Sequence, residues 1–419
     1  MGRKLSVLLL SRYFPPEIGT AASLFYDLAK GLSQQGHQVT VVTNFPWYNL
    51  ETIPERYKGK FYLRETMDGF EVIRVTFPVF GPKKAKLIAG HLTIPFTSFI
   101  GGLLVKKTDI IFAYSPPLFI GLTGWLLNII KKVPFVMGVQ DLHPQCYIDQ
   151  GVLKNKLIIW LLEALERFCY RKASLITVHS PGNKEYIVKK RRIEEGKIKV
   201  LPNWIDTDEM KPLSRDNEFS RRHNLNGKFI VGYAGTLSIS QGLMSIIEVA
   251  NILRSRDNVE FFIVGDGVER QKMVDRATEL GLKNVKFLGM QPKSVYPYVL
   301  ASSDVGLVML NSKVKTPVVP SKILSVMAAA RPVLASLPLE GDAPKLIRDA
   351  RCGICVGPEN SEELARKIVY LSENRGICEE FGRRGREYVE KNLSLKKSIM
   401  DIENMFNELI NRKRRNLYD

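Results

Sequence analysis

Carboxylates are in short supply in this chain, with 43 Asp and Glu against 61 Lys and Arg over 419 residues and a formal charge of +18. The imbalance points to an anionic partner or surface, and charge alone does not say which. Cysteine is as sparse: Cys146, Cys169, Cys352, Cys355 and Cys378 are the only five. Cys352-Gly-Ile-Cys355 is a CxxC with no second CxxC and no paired histidines, so a zinc site is disfavoured; with Val356 it reads as the start of a buried strand. A reduced cytosolic chain is the simplest reading, and no metal or organic cofactor is expected. The GxGxxG fingerprint is missing, which disfavours a dinucleotide oxidoreductase. Basic residues interleaved with aromatics on one element are missing too, and with them the case for nucleic acid.

Long hydrophobic runs are few. After Arg3-Lys4 the apolar run meets Arg12 within a few residues, so it reads as a first strand and not as a signal peptide. Leu87–Val105 holds 19 residues without a charge, near the lower limit for a spanning helix, but it contains His91, Pro95 and Gly101-Gly102. Buried domain helices, a surface that dips into a membrane and a true span are the three readings. Lysines flank these runs: Lys83-Lys84-Ala85-Lys86 and Lys106-Lys107 bracket Leu87–Val105, and Lys131-Lys132 closes Leu118–Ile130. That pattern suits the anionic face of a membrane. Residues 1–190 carry 24 Lys and Arg against 13 Asp and Glu, a net +11, so the excess leans to this half.

The length suits two domains of about 200 residues each, and a mean hydropathy of −0.07 describes a folded globular chain. Leu5–Leu10 reads as a strand, Ala21–Gln35 as a helix stopped by Gly36, and Val39–Thr43 as the second strand. The loop between the first strand and helix carries Pro15-Pro16 and Gly19. This order opens a doubly wound α/β sheet, whose ligands sit beyond the carboxyl ends of its strands, so Gly19 lies either in a plain turn or at a ligand. In residues 44–82 only Phe70–Val75 reads as a strand, and the rest as loop. Asp109–Tyr114 and Phe135–Val139 are further strands, the second delivering Gln140-Asp141-Leu142-His143-Pro144 at its carboxyl end. Asp141 and His143 can each handle protons or hold a hydroxyl, and an Asp beside a His raises its basicity; alternatively Asp141 caps the next turn. Lys156–Ala173 reads as a helix with Trp160, Leu161, Leu165, Phe168 and Cys169 on its apolar side.

A domain boundary falls after Pro202, where a polar, irregular stretch begins. The pattern then restarts. Phe229–Ala234 is a strand followed by Gly235-Thr236, and Val259–Val264 is a strand followed by Gly265-Asp266-Gly267. The run Ser302–Leu310 reads as a buried strand and leads through Thr316-Pro317-Val-Val-Pro320-Ser321-Lys322 into a helix and then the strand Val333–Ala335. Ser321 reads as the helix N-cap, so the first amides and the Lys322 ammonium face one volume suited to phosphate. Two glycine loops and this helix end share the carboxyl edge of one sheet, where a nucleoside diphosphate has the right size and charge.

Several stretches in family order resemble glycosyltransferase family 4 (group 1), of the GT-B fold. In the first half they are Tyr13-Phe14-Pro15-Pro16-Glu17-Ile18-Gly19, Gly36-His37, Gln140-Asp141-Leu142-His143-Pro144 and Leu201-Pro202-Asn203; in the second, Gly235-Thr236, Gly265-Asp266-Gly267, Ser303-Asp304-Val305-Gly306 and Pro320-Ser321-Lys322. The resemblance implies two Rossmann-like doubly wound domains facing a central cleft. Residues 1–202 would hold the acceptor, residues 203–394 the nucleotide sugar, and a helix from about 395 to 419 would pack back on the first domain. Phe14-Pro15-Pro16-Glu17 with Pro320-Ser321-Lys322 is most similar to the WbuB-type subgroup, which builds surface polysaccharides on polyprenyl diphosphate carriers.

What this resemblance implies is a retaining, metal-independent hexosyl- or N-acetylhexosaminyl-transferase at the inner face of the cell membrane. Its donor would be a UDP-sugar held by Gly19, Gly235, Thr236, Gly265, Asp266, Gly267, Pro320, Ser321, Lys322 and Ser325, with Asp141 and His143 as catalytic groups. Its acceptor would be a polyprenyl-diphosphate-linked or other glycan. Two departures bear on this. Pro317 and Ser325 stand where the family carries two glutamates, and Ser240-Gln241 where it often carries an Arg/Lys pair. A catalytically silent nucleotide-sugar-binding homologue and a GT-B UDP-sugar epimerase are the alternatives.

Overall fold

In a computed structural model of the chain, residues 3–17, 19–46, 52–76 and 83–418 are described, the side chains of 83–92 and 416–418 excepted. The chain divides into two compact units, Met1–Asn203 with Leu395–Asp419, and Trp204–Ser394.

The first unit is built on an eight-stranded sheet of β1 (Ser6–Leu10), β2 (Gln38–Thr43), β3 (Tyr62–Met67), β4 (Phe70–Val75), β5 (Ile110–Ser115), β6 (Phe135–Val139), β7 (Leu175–Val178) and β8 (Ile198–Val200), in the spatial order β3-β4-β2-β1-β5-β6-β7-β8. All neighbours are parallel except β3 and β4. The parallel strands read as unbroken apolar runs because helices cover both faces. β3, by contrast, was expected as loop. Arg64-Glu65 interrupts its apolar pattern, and what holds the carboxylate there is tertiary: Glu65 lies 2.6 Å from Nε of the fully buried Arg74 of β4. The helix Leu395–Tyr418 belongs to this unit, with Ile399 filling the space beside Gly31 and Phe406 edge-on to Phe112 at 6.0 Å.

Three helices pack side by side here. Thr123 of the helix Ile120–Lys131 donates to the Pro95 carbonyl in Lys83–Leu103 at 2.9 Å, and Trp125 meets Phe168 of Lys156–Lys172 edge-on at 4.8 Å. The candidate membrane stretch is thus part of a helix packed on the unit, with Ile94, Thr97 and Ser98 buried. Among the described residues no helix is long and apolar enough to cross a membrane. Lys156–Lys172 corrects the sequence reading: Cys169 is buried, but Trp160 and Leu161 are exposed, and the carboxyl of Glu166 is buried in their stead against Arg191.

The second unit is a six-stranded, wholly parallel sheet of β9 (Phe229–Ala234), β10 (Val259–Val264), β11 (Val285–Leu288), β12 (Val305–Met309), β13 (Val333–Ser336) and β14 (Gly353–Val356), ordered β11-β10-β9-β12-β13-β14. One core cluster around Phe262, Val326 and Met327 covers one face, and another around Phe261, Ile246 and Ile368 the other. Cys352 is buried, and burial pushes its thiol up to about 12 and that of Cys355 to about 11, so both stay protonated in this packing.

Candidate functional site

β9 and β10 run side by side in register, with Ala234 opposite Val264, so their following loops leave the sheet together. The Gly235 amide donates to the Val264 carbonyl at 2.9 Å and the Leu237 amide to the Asp266 carbonyl at 2.8 Å. This lacing demands glycine. Gly235 and Gly265 sit at φ +142° and +146°, and a Cβ on Gly265 would collide with the Gly235 carbonyl oxygen. Gly267 lies as close to the Leu237 carbonyl, and its amide donates to the Asp266 carboxylate at 2.8 Å. The Thr236 carbonyl accepts from the Tyr233 hydroxyl at 2.9 Å.

Against this floor lies Lys322, from the helix Ser321–Ala328 between β12 and β13. Its stem fills the space over Gly235, where a Cβ would meet its Cε. The ammonium stands 3.3 Å from Oε1 of Gln241 and 5.4 Å from the Tyr233 ring centre. Gln241 Oε1 also accepts from the Tyr233 hydroxyl, so a glutamine fixed by a buried tyrosine aims the lysine. Among the described residues no carboxylate pairs with Lys322, and burial lowers it from 10.5 to about 8. The expected cap is different: Pro320 occupies the N-cap position with no side-chain hydrogen bond, and Ser321 is the first helical residue. Proline has no acceptor side chain, and the first turn holds no acidic residue, so the amides there meet no side-chain cap. Ser325, one turn on, approaches the Ser321 carbonyl at 3.5 Å and bonds Tyr296. The arrangement is an anion cradle made of a helix N-terminus, glycine-exposed backbone and one partly buried cation.

In the first unit, Asp141 and His143 follow β6 at its carboxyl end. Asp141 makes no side-chain cap to the short helix Gln145–Asp149. Burial raises its carboxyl above the ordinary value, and the neighbouring His179, at the end of β7, pulls it back down. His179 is buried and held by Asn183 Nδ2, 3.0 Å from its Nδ1. His143 does not gain basicity from Asp141. Burial lowers it to about 4; its ring lies 4.7 Å from that of Tyr147 and its Nδ1 3.5 Å from the Cys146 sulfur, so it is neutral at physiological pH. The pairing read from the sequence is therefore replaced by Asp141 with His179.

The loop after β1 is fixed by two buried arginines, Arg12 against Glu17 at 3.4 Å and Arg74 donating to the Pro15 carbonyl. Gly19 ends that loop in an extended conformation, φ 164°, and a Cβ there would meet nothing within 4 Å. Among the described residues of this unit, none requires it to be glycine.

Sequence reasoning missed Tyr233, Gln241, His179 and Asn183. Tyr233 sits inside an apolar strand and reads as core; Gln241 was noted only for the basic residue it replaces. His179 adjoins a predicted strand end, which was the available signal.

Two family patterns match the chain: "Glycosyl transferase 4-like domain" over residues 19–204 and "Glycosyl transferases group 1" over residues 215–388. Among curated proteins, WcaI of Escherichia coli (strain K12), provisionally named a colanic acid biosynthesis glycosyl transferase, is 24% identical over 97% of this chain and 99% of its own. Among solved structures, sucrose-phosphate synthase from Thermosynechococcus elongatus superposes with a TM-score of 0.77 at 16% identity, covering 98% of this chain and all of the other. HepE from Anabaena, solved in complex with UDP and glucose, gives 0.71 at 20% identity, covering 97% of this chain and 100% of that one. The shared fold is GT-B.

Proposed function

This chain belongs to the group 1 glycosyl transferases, and from that premise we propose that it moves a sugar from a UDP-sugar, with retention and without a metal, onto a lipid-linked glycan at the inner face of the cell membrane. The observation that carries the reading is the Lys322 ammonium, free of carboxylates among the described residues and aimed across Gly235 beside an uncapped helix end. A diphosphate supplies the charge this cradle lacks.

In the proposed step the acceptor hydroxyl forms a bond to the anomeric carbon on the face from which the UDP departs. The bond from that carbon to the β-phosphate oxygen breaks, and the leaving oxygen takes the hydroxyl proton. Lys322, with the amides of the Ser321–Ala328 helix, offsets the charge that develops on the diphosphate. Gly235, Thr236, Gly265, Asp266 and Gly267 present backbone to the donor, with Pro320 and Ser325 flanking it. Gly19 admits the phosphates closely, and Asp141 holds the reacting sugar, with His143 as a neutral neighbour able to donate or accept a hydrogen bond. The UDP in the HepE structure supports the donor class for this fold.

A second reading rests on Pro317 and Ser325, which bring no carboxylate to the donor sugar: a silent homologue that binds the donor without turnover. Calorimetry with UDP and with uridine tests the cradle. Lys322→Ala is expected to weaken UDP about tenfold or more and leave uridine unchanged; equal losses for both ligands would remove Lys322 from the phosphates.

A further inference from the structure

The helix Lys156–Lys172 has its polarity inverted along its length. Its second half packs on the sheet and buries Glu166, which Arg191 neutralises, while its first half carries Leu157-Ile158-Ile159-Trp160-Leu161-Leu162. These apolar residues are not turned inward: Leu157 is 65% exposed and Trp160 59%, with Ile158 and Leu161 also exposed. The helix starts here for a local reason. Asn155 caps it, accepting from the amides of Leu157 at 3.0 Å and Ile158 at 3.1 Å, so the start of the helix is fixed by its own chain. In an ordinary amphipathic surface helix the apolar stripe faces the core. Here four of six consecutive apolar residues, Leu157, Ile158, Trp160 and Leu161, are exposed, with Ile159 and Leu162 half-buried between them.

The surroundings say what covers them. Lys154 and Lys156 flank the turn, and the positive helix end adds to their charge. From Leu142 to Leu162 the one carboxylate is Asp149, which Gln145 bonds at 2.7 Å. Val152, 73% exposed, and Tyr147, whose ring lies against that of His143, continue the apolar surface back along the chain. The adjacent helix Ile120–Lys131 exposes Leu126, Ile129 and Ile130 on the same side of the sheet, ahead of Lys131-Lys132. Exposed aliphatic residues with a tryptophan, a cationic border and a single, already bonded acid match an anionic lipid surface, whose headgroups take the lysines and whose acyl boundary takes Leu157, Trp160 and Leu161.

We propose that the first two turns of Lys156–Lys172, with Lys154 and Val152, form a docking face for an anionic lipid bilayer. The proposal rests on the transfer reading for the lipid nature of the acceptor and specifies where the chain meets the membrane. The segment lies in the headgroup layer and does not cross it.

The test is flotation of the full chain with vesicles of phosphatidylcholine, alone or with 30% phosphatidylglycerol, in the absence of donor and acceptor. Binding is expected to the anionic vesicles and to weaken with salt. W160S with L161S should lower it about tenfold or more, and K154E with K156E several-fold, with melting and UDP affinity unchanged because all four side chains are exposed. Equal binding of wild type and W160S/L161S, or no binding of the wild type to anionic vesicles, would overturn the proposal. A wild-type dimer that W160S/L161S turns into monomers would assign the face to a second copy. Vesicle binding without sugar transfer would sink the transfer reading alone, and transfer to a water-soluble acceptor without vesicle binding the docking face alone.

Discussion

The carbonyl oxygen of Gly235 occupies the space that a side chain on Gly265 would need. The two loops therefore touch backbone to backbone, and Lys322 lies over the same glycine. Gly265→Ala is expected to cost roughly 1–3 kcal/mol of stability, through both the collision and the φ of +146°, and to abolish UDP binding. Thermal melting with calorimetry checks it. Wild-type melting and affinity would mean that the loops do not need this contact.

The lowered basicity of Lys322 gives UDP binding a pH signature. A lysine at about 8 is charged below that pH and loses its proton above it. Affinity for UDP, taken relative to that for uridine so that the uracil's own titration cancels, should fall by up to about tenfold per unit above pH 8. In Lys322→Gln the dependence should vanish. A relative UDP profile flat to pH 10 in the wild type would contradict the placement of this ammonium at the phosphates.

Asp141→Asn should spare UDP binding and lower turnover about a hundredfold or more. His179→Gln removes the neighbour that draws the Asp141 carboxyl down, so the acid limb of the kcat profile should move to higher pH. A merely structural histidine would change stability without moving that limb. Unchanged turnover in Asp141→Asn would leave this aspartate without a part in the reaction.

Gly19 offers the reverse of Gly265. Its backbone is extended and its surroundings within the unit are open, so Gly19→Ala should melt like the wild type. Transfer should nonetheless drop about tenfold or more, because a methyl group keeps the donor phosphates from close approach. Full activity in a stable Gly19→Ala protein would return this residue to the role of a plain turn.

Much of this architecture can be read from the chain because parallel strands covered on both faces announce themselves as apolar runs; Phe135–Val139 and Phe229–Ala234 match their observed strands residue for residue. Gly235, Gly265 and Lys322 were equally legible, since glycine loops after strands and a lysine at a helix start carry their chemistry locally. β3 was not, because the charged Arg64-Glu65 interrupts its pattern and the partner that stabilises Glu65 there, Arg74, lies 9 residues away. Nor were the links between Lys322 and Gln241, 81 positions apart, or between Asp141 and His179. Periodicity placed Trp160 and Leu161 inward because it assumes that every helix hides its apolar residues. In Lys156–Lys172 the ion pair of Glu166 with Arg191 takes the buried place.

The most direct measurement is mass-spectrometric detection of transfer by the purified full chain, with a panel of UDP-sugars and polyprenyl-diphosphate-linked acceptors in anionic vesicles. The account predicts an acceptor heavier by one sugar, lost in Lys322→Ala and in Asp141→Asn. No product from any donor, alongside clear UDP binding that depends on Lys322, would contradict the transferase and leave a donor-binding protein whose Pro317 and Ser325 explain its silence.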